Sequence, residues 1–278
     1  MKYKNYKLNI LVNDKPLREY KIPDSDLGFS INTAQKSYVL DKKKRKIISP
    51  LTTFVAVPKP GTPYKIQYST ADGGPYKAKV FVDGQNDKGY THFITDMPFI
   101  KEGFCNKDCS MRHQLVFDKT EWTDYTDESN VKYGGLGIIS VYFYKAKFVK
   151  RIGSDYRRLK LGRDLKQVKV SETKSNIDIT LTTKFDGGEV IKKPKPSEDT
   201  LTRTDKEPIA VLHINYRPVD WFISKGISVK QSLVVDFDVP IKIENVPIGA
   251  DKNKHNYREI VELIDTDDTD TDDETMKN

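Results

Sequence analysis

Apolar and polar residues alternate along most of the chain, and this alternation predicts β-strands. TTFVAVP, PYKIQYS, YKAKVFVDG and HQLVFDK place an apolar side chain at every second position, which is the period of a strand with one buried face. The run from Leu136 to Val149 is long enough for a central strand, and NIDITLTTKF, AVLHINYR and SLVVDFDVPIKIENV continue the series. Many short strands separated by turn residues predict an all-β, antiparallel sandwich of the jelly-roll kind or a related kind.

Turn residues and one helical pattern mark where strands end. The first strands, in YKLNILVNDKPLREYKI, are predicted to pair around the turn Asn13-Asp14, and YKAKVFVDG ends at the turn Asp83-Gly84. PVDWFISKG predicts one short helix, because Pro218 suits its first position and Gly226 suits the position after its end. The glycines of YGGLG and FDGG indicate further turns.

The chain is predicted to contain one folded domain and a tail. Its 278 residues are 37% hydrophobic, with 15 tyrosines and 12 phenylalanines, which is enough to bury a core. We expect the sandwich to occupy residues 1–250, with the polar, proline-rich segment 192–208 as a flexible connection. Residues 251–278 are expected to form a flexible, disordered acidic tail.

Charge is divided unequally between these parts. The whole chain has a formal net charge of +7. Residues 265–278 contain six Asp, one Glu and one Lys, a net charge of −6, which leaves +13 for residues 1–264. One chain therefore encodes a basic body and an acidic end.

Signals for secretion or membrane insertion are not predicted. The start, MKYKNYKLNILVNDK, lacks the uninterrupted apolar core of a signal peptide, and no apolar run reaches the roughly 18 residues that span a bilayer. With only two cysteines, a disulfide-stabilised secreted scaffold is not expected. We therefore expect a soluble, intracellular protein without membrane contact.

Four sets of segments follow one another over roughly residues 5–235. They are LNILVNDKPLREY, YKAKVFVDG, the pair LVFDKTEW and GLGIISVYFYKAK, and NYRPVDWFISKGI. In this order they resemble an uncharacterised domain of unknown function that is common in filamentous fungi. The resemblance implies a β-sandwich and no particular activity.

The acidic end follows an aliphatic core. IVELID runs into TDDTDTDDE, and this arrangement resembles a motif that binds the small ubiquitin-like modifier. Such a peptide adds a strand to an exposed sheet edge, its aliphatic side chains fill a groove, and its carboxylates meet a basic rim. The predicted aliphatic contacts are Ile260, Val261, Leu263 and Ile264, and the predicted charged contacts are Asp265, Asp267, Asp268 and Asp270.

Two alternatives for this segment remain open. Tyr257, Ile260, Val261 and Ile264 also fall at helical spacing, which predicts a C-terminal helix packed on the body and followed by a solvated acidic end. In the other alternative, the acidic end folds back over the basic body and inhibits it. An acid-directed kinase would add further negative charge at Thr266, Thr269 and Thr271.

Five consecutive cations in LDKKKRKII are typical of a short nuclear import signal. Five adjacent cations must be solvated, so we expect an exposed turn or edge in any case. The alternative function is a charged edge that prevents pairing with other strands. Together with the modifier-binding motif, the run predicts a nuclear or nucleocytoplasmic protein, or a virion protein if the chain is viral. Its residues are Lys42, Lys43, Lys44, Arg45 and Lys46.

A second basic segment covers residues 145–169. It holds ten Lys or Arg against two Asp, with Phe148 and Tyr156 interleaved, which is typical of a surface that contacts nucleic-acid phosphates. A solvated face explains the same composition. The candidate contacts are Lys147, Lys150, Arg151, Arg157, Arg158, Lys160 and Arg163.

Metal binding and catalysis find little support. CNKDCSMRH offers Cys105, Cys109 and His113, but zinc sites usually have tighter cysteine spacing, so neither a metal nor another cofactor is predicted. The chain has no G-x-S-x-G, no P-loop, no H-E-x-x-H and no G-x-G-x-x-G after a strand. His213 lies within an alternating strand, where a structural role is expected.

Three functions are compatible with these patterns. The first is a non-enzymatic nuclear interaction module whose C-terminal peptide recruits the small ubiquitin-like modifier or a modified partner. The second is a structural or assembly protein, such as a particle subunit, whose basic face meets nucleic acid or neighbouring subunits. The third is a hydrolase or a lectin on the same sandwich, since a fold does not fix a function.

Overall fold

The structure, a computed structural model, describes residues 1–23, 34–71, 74–87, 91–93, 97–106, 110–123, 133–150, 165–171, 179–191 and 199–229. These residues form β-strands and one α-helix, α1 (Val219–Ser224). The earlier strands are β1 (Lys2–Tyr3), β2 (Tyr6–Val12), β3 (Lys15–Pro16), β4 (Glu19–Pro23), β5 (Tyr38–Leu40), β6 (Lys46–Ile48), β7 (Leu51–Val57), β8 (Thr62–Thr70), β9 (Tyr76–Val82) and β10 (Thr91–Phe93). The later strands are β11 (Phe99–Lys101), β12 (Gly103–Cys105), β13 (Met111–Lys119), β14 (Glu121–Thr123), β15 (Ile138–Lys150), β16 (Lys169–Ser171), β17 (Leu181–Val190), β18 (Asp199–Arg203) and β19 (Ala210–Pro218).

Two large sheets make up most of the described chain. The eight-stranded sheet has the order β1-β2-β8-β13-β12, with β3 on β2, β11 on β8 and β17 on β13. The nine-stranded sheet has the order β10-β9-β15-β19-β5-β6, with β18 on β15, β7 on β19 and β4 on β7. Within these two sheets, every described pair is antiparallel except β7 with β19. A small parallel pair, β14 with β16, lies apart from them.

The main hydrophobic core lies between the two sheets. Leu8, Ile66 and Phe117 of the eight-stranded sheet belong to the same buried cluster as Val141 and Leu212 of the nine-stranded sheet. Along each strand, the residues of this cluster occupy every second position. One face of each sheet is therefore buried against the other sheet. The protein is therefore an all-β sandwich, as the alternating pattern predicts.

Strand β15 is the central strand predicted between Leu136 and Val149. It pairs with β9 along one side, from Ile139 to Lys145. On its other side it pairs first with β19, over Ile138–Phe143, and then with β18, over Ala146–Lys150. One long strand therefore holds three partners in register.

Both predicted two-residue turns are present. Asn13 and Asp14, between β2 and β3, have φ of 51° and 59°, and Asp83 and Gly84, after β9, have φ of 49° and 73°. Positive φ at both central residues suits hairpin turns whose twist matches that of the strands, and Asn, Asp and Gly adopt it at low cost. Local residue types therefore determine these turns.

Helix α1 covers one end of the outer face of the nine-stranded sheet. Pro218 is its N-cap rather than its first helical residue, and Gly226, with φ of 71°, follows its end. Trp221 and Phe222 pack with Phe54 of β7 in a second, smaller hydrophobic cluster. The predicted short helix is confirmed.

The predicted connection over residues 192–208 is partly wrong. Asp199–Arg203 forms β18, because its backbone pairs with the second half of β15. Residues 192–198, the predicted strand SLVVDFDVPIKIENV and the tail 251–278 lie outside the described residues. Among the described residues, no helix has the length and apolar character needed to span a membrane.

Candidate functional site: a lysine-rich groove

Ser140 and His213 form a buried pair on the outer face of the nine-stranded sheet. They are directly opposite each other on β15 and β19, and 2.7 Å separates Ser140 Oγ from His213 Nδ1. The backbone N–H of His213 donates to Ser37 Oγ at 2.8 Å. Burial lowers the pKa of His213 to about 3, so the imidazole is neutral at physiological pH. The structural role expected for His213 fits this arrangement.

The turn that contains YGGLG closes over this pair. Gly134 has φ of 101°, and a Cβ atom there would lie 2.3 Å from Ser140 Oγ. Only glycine allows the backbone to approach so closely in this conformation. The pair is thus covered by main chain, and neither Ser140 nor His213 lines the two cavities described below.

Asp83 is the centre of a second buried polar network. Its carboxylate accepts hydrogen bonds from the backbone N–H groups of Gly137 and Thr183, at 2.7 and 2.6 Å, and from the Tyr216 hydroxyl at 2.7 Å. Burial raises the pKa of Asp83, and these three donors act in the opposite direction. Because the donors come from β17, β19 and the residue just before β15, the carboxylate ties the two sheets together.

A groove of about 800 Å³ opens at one end of the sandwich. It lies between the β1–β2 turn, the β5–β6 turn, the middle of β15 and the link from β18 to β19. Its floor contains Tyr6 and Tyr76, which are 4% and 6% exposed. Five lysines line it, and we call it the lysine groove: Lys4, Lys42, Lys44, Lys145 and Lys206.

Two of the acidic side chains in the lysine groove already accept hydrogen bonds from nearby cationic side chains. Asp41 accepts from Arg45 Nε at 2.7 Å, and Asp205 accepts from Lys44 Nζ at 2.8 Å. The pKa of Asp41 is lowered, chiefly by the backbone N–H of Arg45, and that of Asp205 is lowered by the hydrogen bond from Lys44. Glu207 is the third acid of the groove. Positive charge therefore remains in excess.

The predicted import run forms the turn of the β5–β6 hairpin. Asp41 organises this turn by accepting from the backbone N–H of Lys43 at 2.7 Å, and Lys44 has φ of 57°. The side chains of Lys44 and Arg45 are 68% and 71% exposed. The expected exposed turn is confirmed, and two of its residues, Lys42 and Lys44, line the groove.

The second basic segment is described only at its start. Lys145 lines the lysine groove, and Lys147 is exposed two residues further along β15. Lys150 ends the strand. The remaining candidates for nucleic-acid contact, Arg151, Arg157, Arg158, Lys160 and Arg163, lie outside the described residues.

The sequence patterns did not predict that Lys4 and Lys206 belong to this site. They are single lysines in turns, and only the strand order places them beside Lys42 and Lys145. The predicted modifier-binding residues, Ile260, Val261, Leu263, Ile264, Asp265, Asp267 and Asp268, lie outside the described residues.

Cys105 and His113 do not face each other. In the β12–β13 pair, His113 is opposite Phe104 and Cys105 is opposite Arg112, so the cysteine and the histidine are not paired across the two strands. His113 Nδ1 lies 2.7 Å from the carbonyl oxygen of Gly187, and Cys109 lies outside the described residues. No cluster of metal-ligating side chains occurs in the described part of the chain.

A second cavity, of about 560 Å³, is lined by charges of both signs. Lys65 contacts Asp14 at 2.7 Å, and Arg112 contacts Glu102 at 2.7 Å. These exposed pairs balance each other's charge and contribute little to stability. Asp186 and Glu189 also line this cavity, so acidic side chains outnumber basic ones and it lacks the positive charge of the lysine groove.

Cations also lie over aromatic rings on the outer face of the nine-stranded sheet. Arg203 lies 4.8 Å from the ring of Tyr144, and Lys79 lies 5.1 Å from the ring of Phe81. Lys46 lies 5.9 Å from the ring of Tyr38. We call this surface the cationic sheet face.

Comparisons with protein-family models, curated proteins and solved structures found no match. The β-sandwich implied by the resemblance to the fungal domain agrees with the observed fold. Membership of that family remains a prediction, because a sandwich is shared by many unrelated families.

Proposed function

We propose that the protein is a non-enzymatic protein-interaction module that acts in the nucleus. Its C-terminal segment recruits the small ubiquitin-like modifier or a modified partner, and the β-sandwich is the folded body that carries this segment. One observation of the body supports binding over catalysis. The described polar groups best suited to chemistry, the Ser140–His213 pair and Asp83, are buried in structural networks, whereas the open groove presents lysines.

The proposed contact is strand addition. Ile260, Val261, Leu263 and Ile264 fill an aliphatic groove of the modifier, and main-chain hydrogen bonds extend its sheet. Carboxylates that follow, from Asp265 onward, meet basic residues at the rim and increase the association rate. The support for this step is the order of aliphatic and acidic residues in the sequence.

Titration of the intact protein with the modifier tests the proposal. We expect Leu263→Ala and Ile264→Ala each to weaken binding by about tenfold. Each substitution removes aliphatic contact area whose burial contributes about 1–2 kcal/mol to the binding free energy. Met276→Ala is the matched control, since it shortens an apolar side chain of the same tail outside the motif. Unaltered affinity in both motif variants contradicts the proposal.

Nuclear location rests on the β5–β6 turn. The exposure of Lys44 and Arg45 supports access by an import receptor, which has to compete with Asp205 and Asp41 for these two side chains. The measurement is the distribution of the fluorescently tagged protein in cells. Retention of nuclear enrichment after Lys42→Ala with Lys43→Ala contradicts this address.

A structural or assembly role is the second candidate function. The observation that favours it is the cationic sheet face, where Lys46, Lys79 and Arg203 lie on one side of the nine-stranded sheet. Such a face suits the phosphates of nucleic acid or an acidic surface of a neighbouring subunit.

A further inference from the structure

The lysine groove and the acidic end of the same chain carry opposite charges. We propose that the acidic segment of this chain, residues 265–274, binds in the lysine groove of the same molecule. The contact goes beyond the proposed function and does not depend on recruitment of the modifier.

The groove retains three lysines for a partner. Lys42, Lys145 and Lys206 are exposed, and within the described part of the chain none of them forms an ion pair. Lys44 is different, because its ammonium group already binds Asp205 at 2.8 Å. The positive charge available to an incoming acidic peptide therefore comes from three separate elements that converge on one groove.

The shape of the groove also suits a peptide. Its floor is built from side chains of both sheets, with Tyr6 from β2 and Tyr76 from β9, and Val39 and Ile209 add apolar surface. The tyrosines are almost fully buried, so the floor is solid rather than an opening into the core. An extended segment can lie along this floor while its carboxylates reach the lysines at the rim.

The acidic segment supplies the complementary charge. Residues 265–274 contain seven carboxylates separated by three threonines. The chain from residue 230 to residue 264 spans at most about 120 Å when extended. A domain of this size has a radius of gyration of only ~17 Å. The segment can therefore reach any part of the surface.

Covalent connection makes weak affinity sufficient. A segment tethered to its own binding site has an effective concentration of the order of millimolar. A groove that binds the isolated peptide with only a millimolar Kd is therefore about half occupied in the intact chain. A peptide on another molecule would need a much lower Kd to compete at cellular concentrations.

Docking in the groove would regulate access to the neighbouring aliphatic core. Ile260 to Ile264 directly precede the acidic segment, so a modifier that needs both parts binds only the released form. The apparent affinity falls in proportion to the released fraction. Salt would release the segment, because it screens exposed charges over a Debye length of about 8 Å at physiological ionic strength.

Cross-linking of the intact protein tests the contact directly. A zero-length carbodiimide joins a carboxylate to a lysine only where the two groups touch, and mass spectrometry identifies the joined residues. We expect links from residues 265–274 to Lys42, Lys145 and Lys206, and much weaker links to Lys119. Lys119 is the matched control, because it is exposed on the eight-stranded sheet outside the groove. Links distributed over all exposed lysines, or links that join two molecules, overturn the proposal.

Charge reversal in the groove provides an independent measurement. In the intact chain at low salt, we expect the amide resonances of Thr266, Thr269 and Thr271 to differ from those of the isolated peptide 255–276. Lys42→Glu, Lys145→Glu and Lys206→Glu together should return them to the peptide positions, and Lys119→Glu should not. Coincidence of native and peptide resonances at low salt overturns the proposal.

Neither measurement contains the modifier, so the two proposals fail separately. If the segment docks and the modifier also binds, charge reversal in the groove should tighten modifier binding by ~2-fold to 10-fold. Absence of modifier binding contradicts the proposed function only. Whether the acidic segment binds in the lysine groove is then decided by the cross-linking result.

Discussion

At the scale of single residues, the protein uses polar groups mainly to stabilise its own fold. Ser140 and His213 are hydrogen-bonded to each other on the outer face of the nine-stranded sheet, and Gly134 lets the main chain cover them. A side chain at position 134 would collide with Ser140 Oγ, so the glycine and the buried pair depend on each other. Buried polar groups of this kind make the arrangement specific, because leaving one partner unpaired is costly.

The buried imidazole predicts a pH dependence of stability. The pKa of His213 falls from 6.5 to about 3 on folding, so the unfolded chain binds its proton first as the pH decreases. Its contribution to stability is complete above pH 6.5 and is lost as the pH falls towards 3, by roughly 1.4 kcal/mol for each pH unit.

Urea unfolding between pH 4 and pH 7 measures this effect. We expect the unfolding free energy of His213→Gln to depend less steeply on pH than that of the native protein. Asp83 contributes with the opposite sign, because its pKa is raised and the folded state holds the extra proton. If the unfolding free energies of the native protein and His213→Gln depend equally on pH, folding does not lower the pKa of this imidazole.

At the scale of secondary-structure elements, the Asp83 network joins strands of different sheets. Thr183 belongs to β17 of the eight-stranded sheet, whereas Tyr216 belongs to β19 of the nine-stranded sheet. Tyr64 of β8 extends the network through the Thr183 hydroxyl at 2.8 Å. The turn after β9 is therefore fixed both by its own geometry and by contacts across the sandwich.

Removal of the Asp83 carboxylate should destabilise the protein strongly. Asp83→Ala leaves two buried N–H groups and one hydroxyl without their acceptor, which costs at least about 3 kcal/mol. Tyr216→Phe removes only one of the three donors to the carboxylate, together with the 3.2 Å contact of the hydroxyl with Thr183 Oγ1, and should cost less, about 1 kcal/mol. Chemical denaturation of both variants gives the comparison, and similar losses for the two would refute a central role of the carboxylate.

Local features of the fold were predictable from the sequence, and long-range ones were not. The turns at Asn13-Asp14 and Asp83-Gly84 and the helix after Pro218 follow from residue types within a few positions. Strands β5 and β6 have only three residues each, which is too short for an alternating pattern to be recognised. The connection assigned to residues 192–208 was partly wrong, since polar composition does not reveal that Asp199–Arg203 pairs with β15.

The candidate site shows the same division. The basic run at Lys42 was visible because its charges are consecutive, and its exposure is confirmed. Its proximity to Lys145 and Lys206 depends on strand order, which alternation alone does not determine. Cys105 and His113 illustrate the reverse case, where residues close in sequence are not paired across neighbouring strands.

At the scale of the whole molecule, the effect of salt on self-association distinguishes the two candidate functions. An interaction module is expected to be monomeric at any ionic strength, whereas a subunit that assembles through the cationic sheet face should associate at low salt. Sedimentation velocity at low and high salt measures this. We expect a single species of about 31.9 kDa under both conditions. A larger mass that disappears at high salt would favour the assembly function.

The position of β19 has a consequence for synthesis of the protein. This strand lies between β15 and β5 and also pairs with β7, yet it begins only at Ala210. Until the ribosome has released it, the nascent chain must carry β5, β7 and β15 with unpaired edges, which readily join edges of other chains. Completion of the nine-stranded sheet therefore has to wait for the translation of β19, and chaperones that shield exposed strands are expected to matter most during that interval.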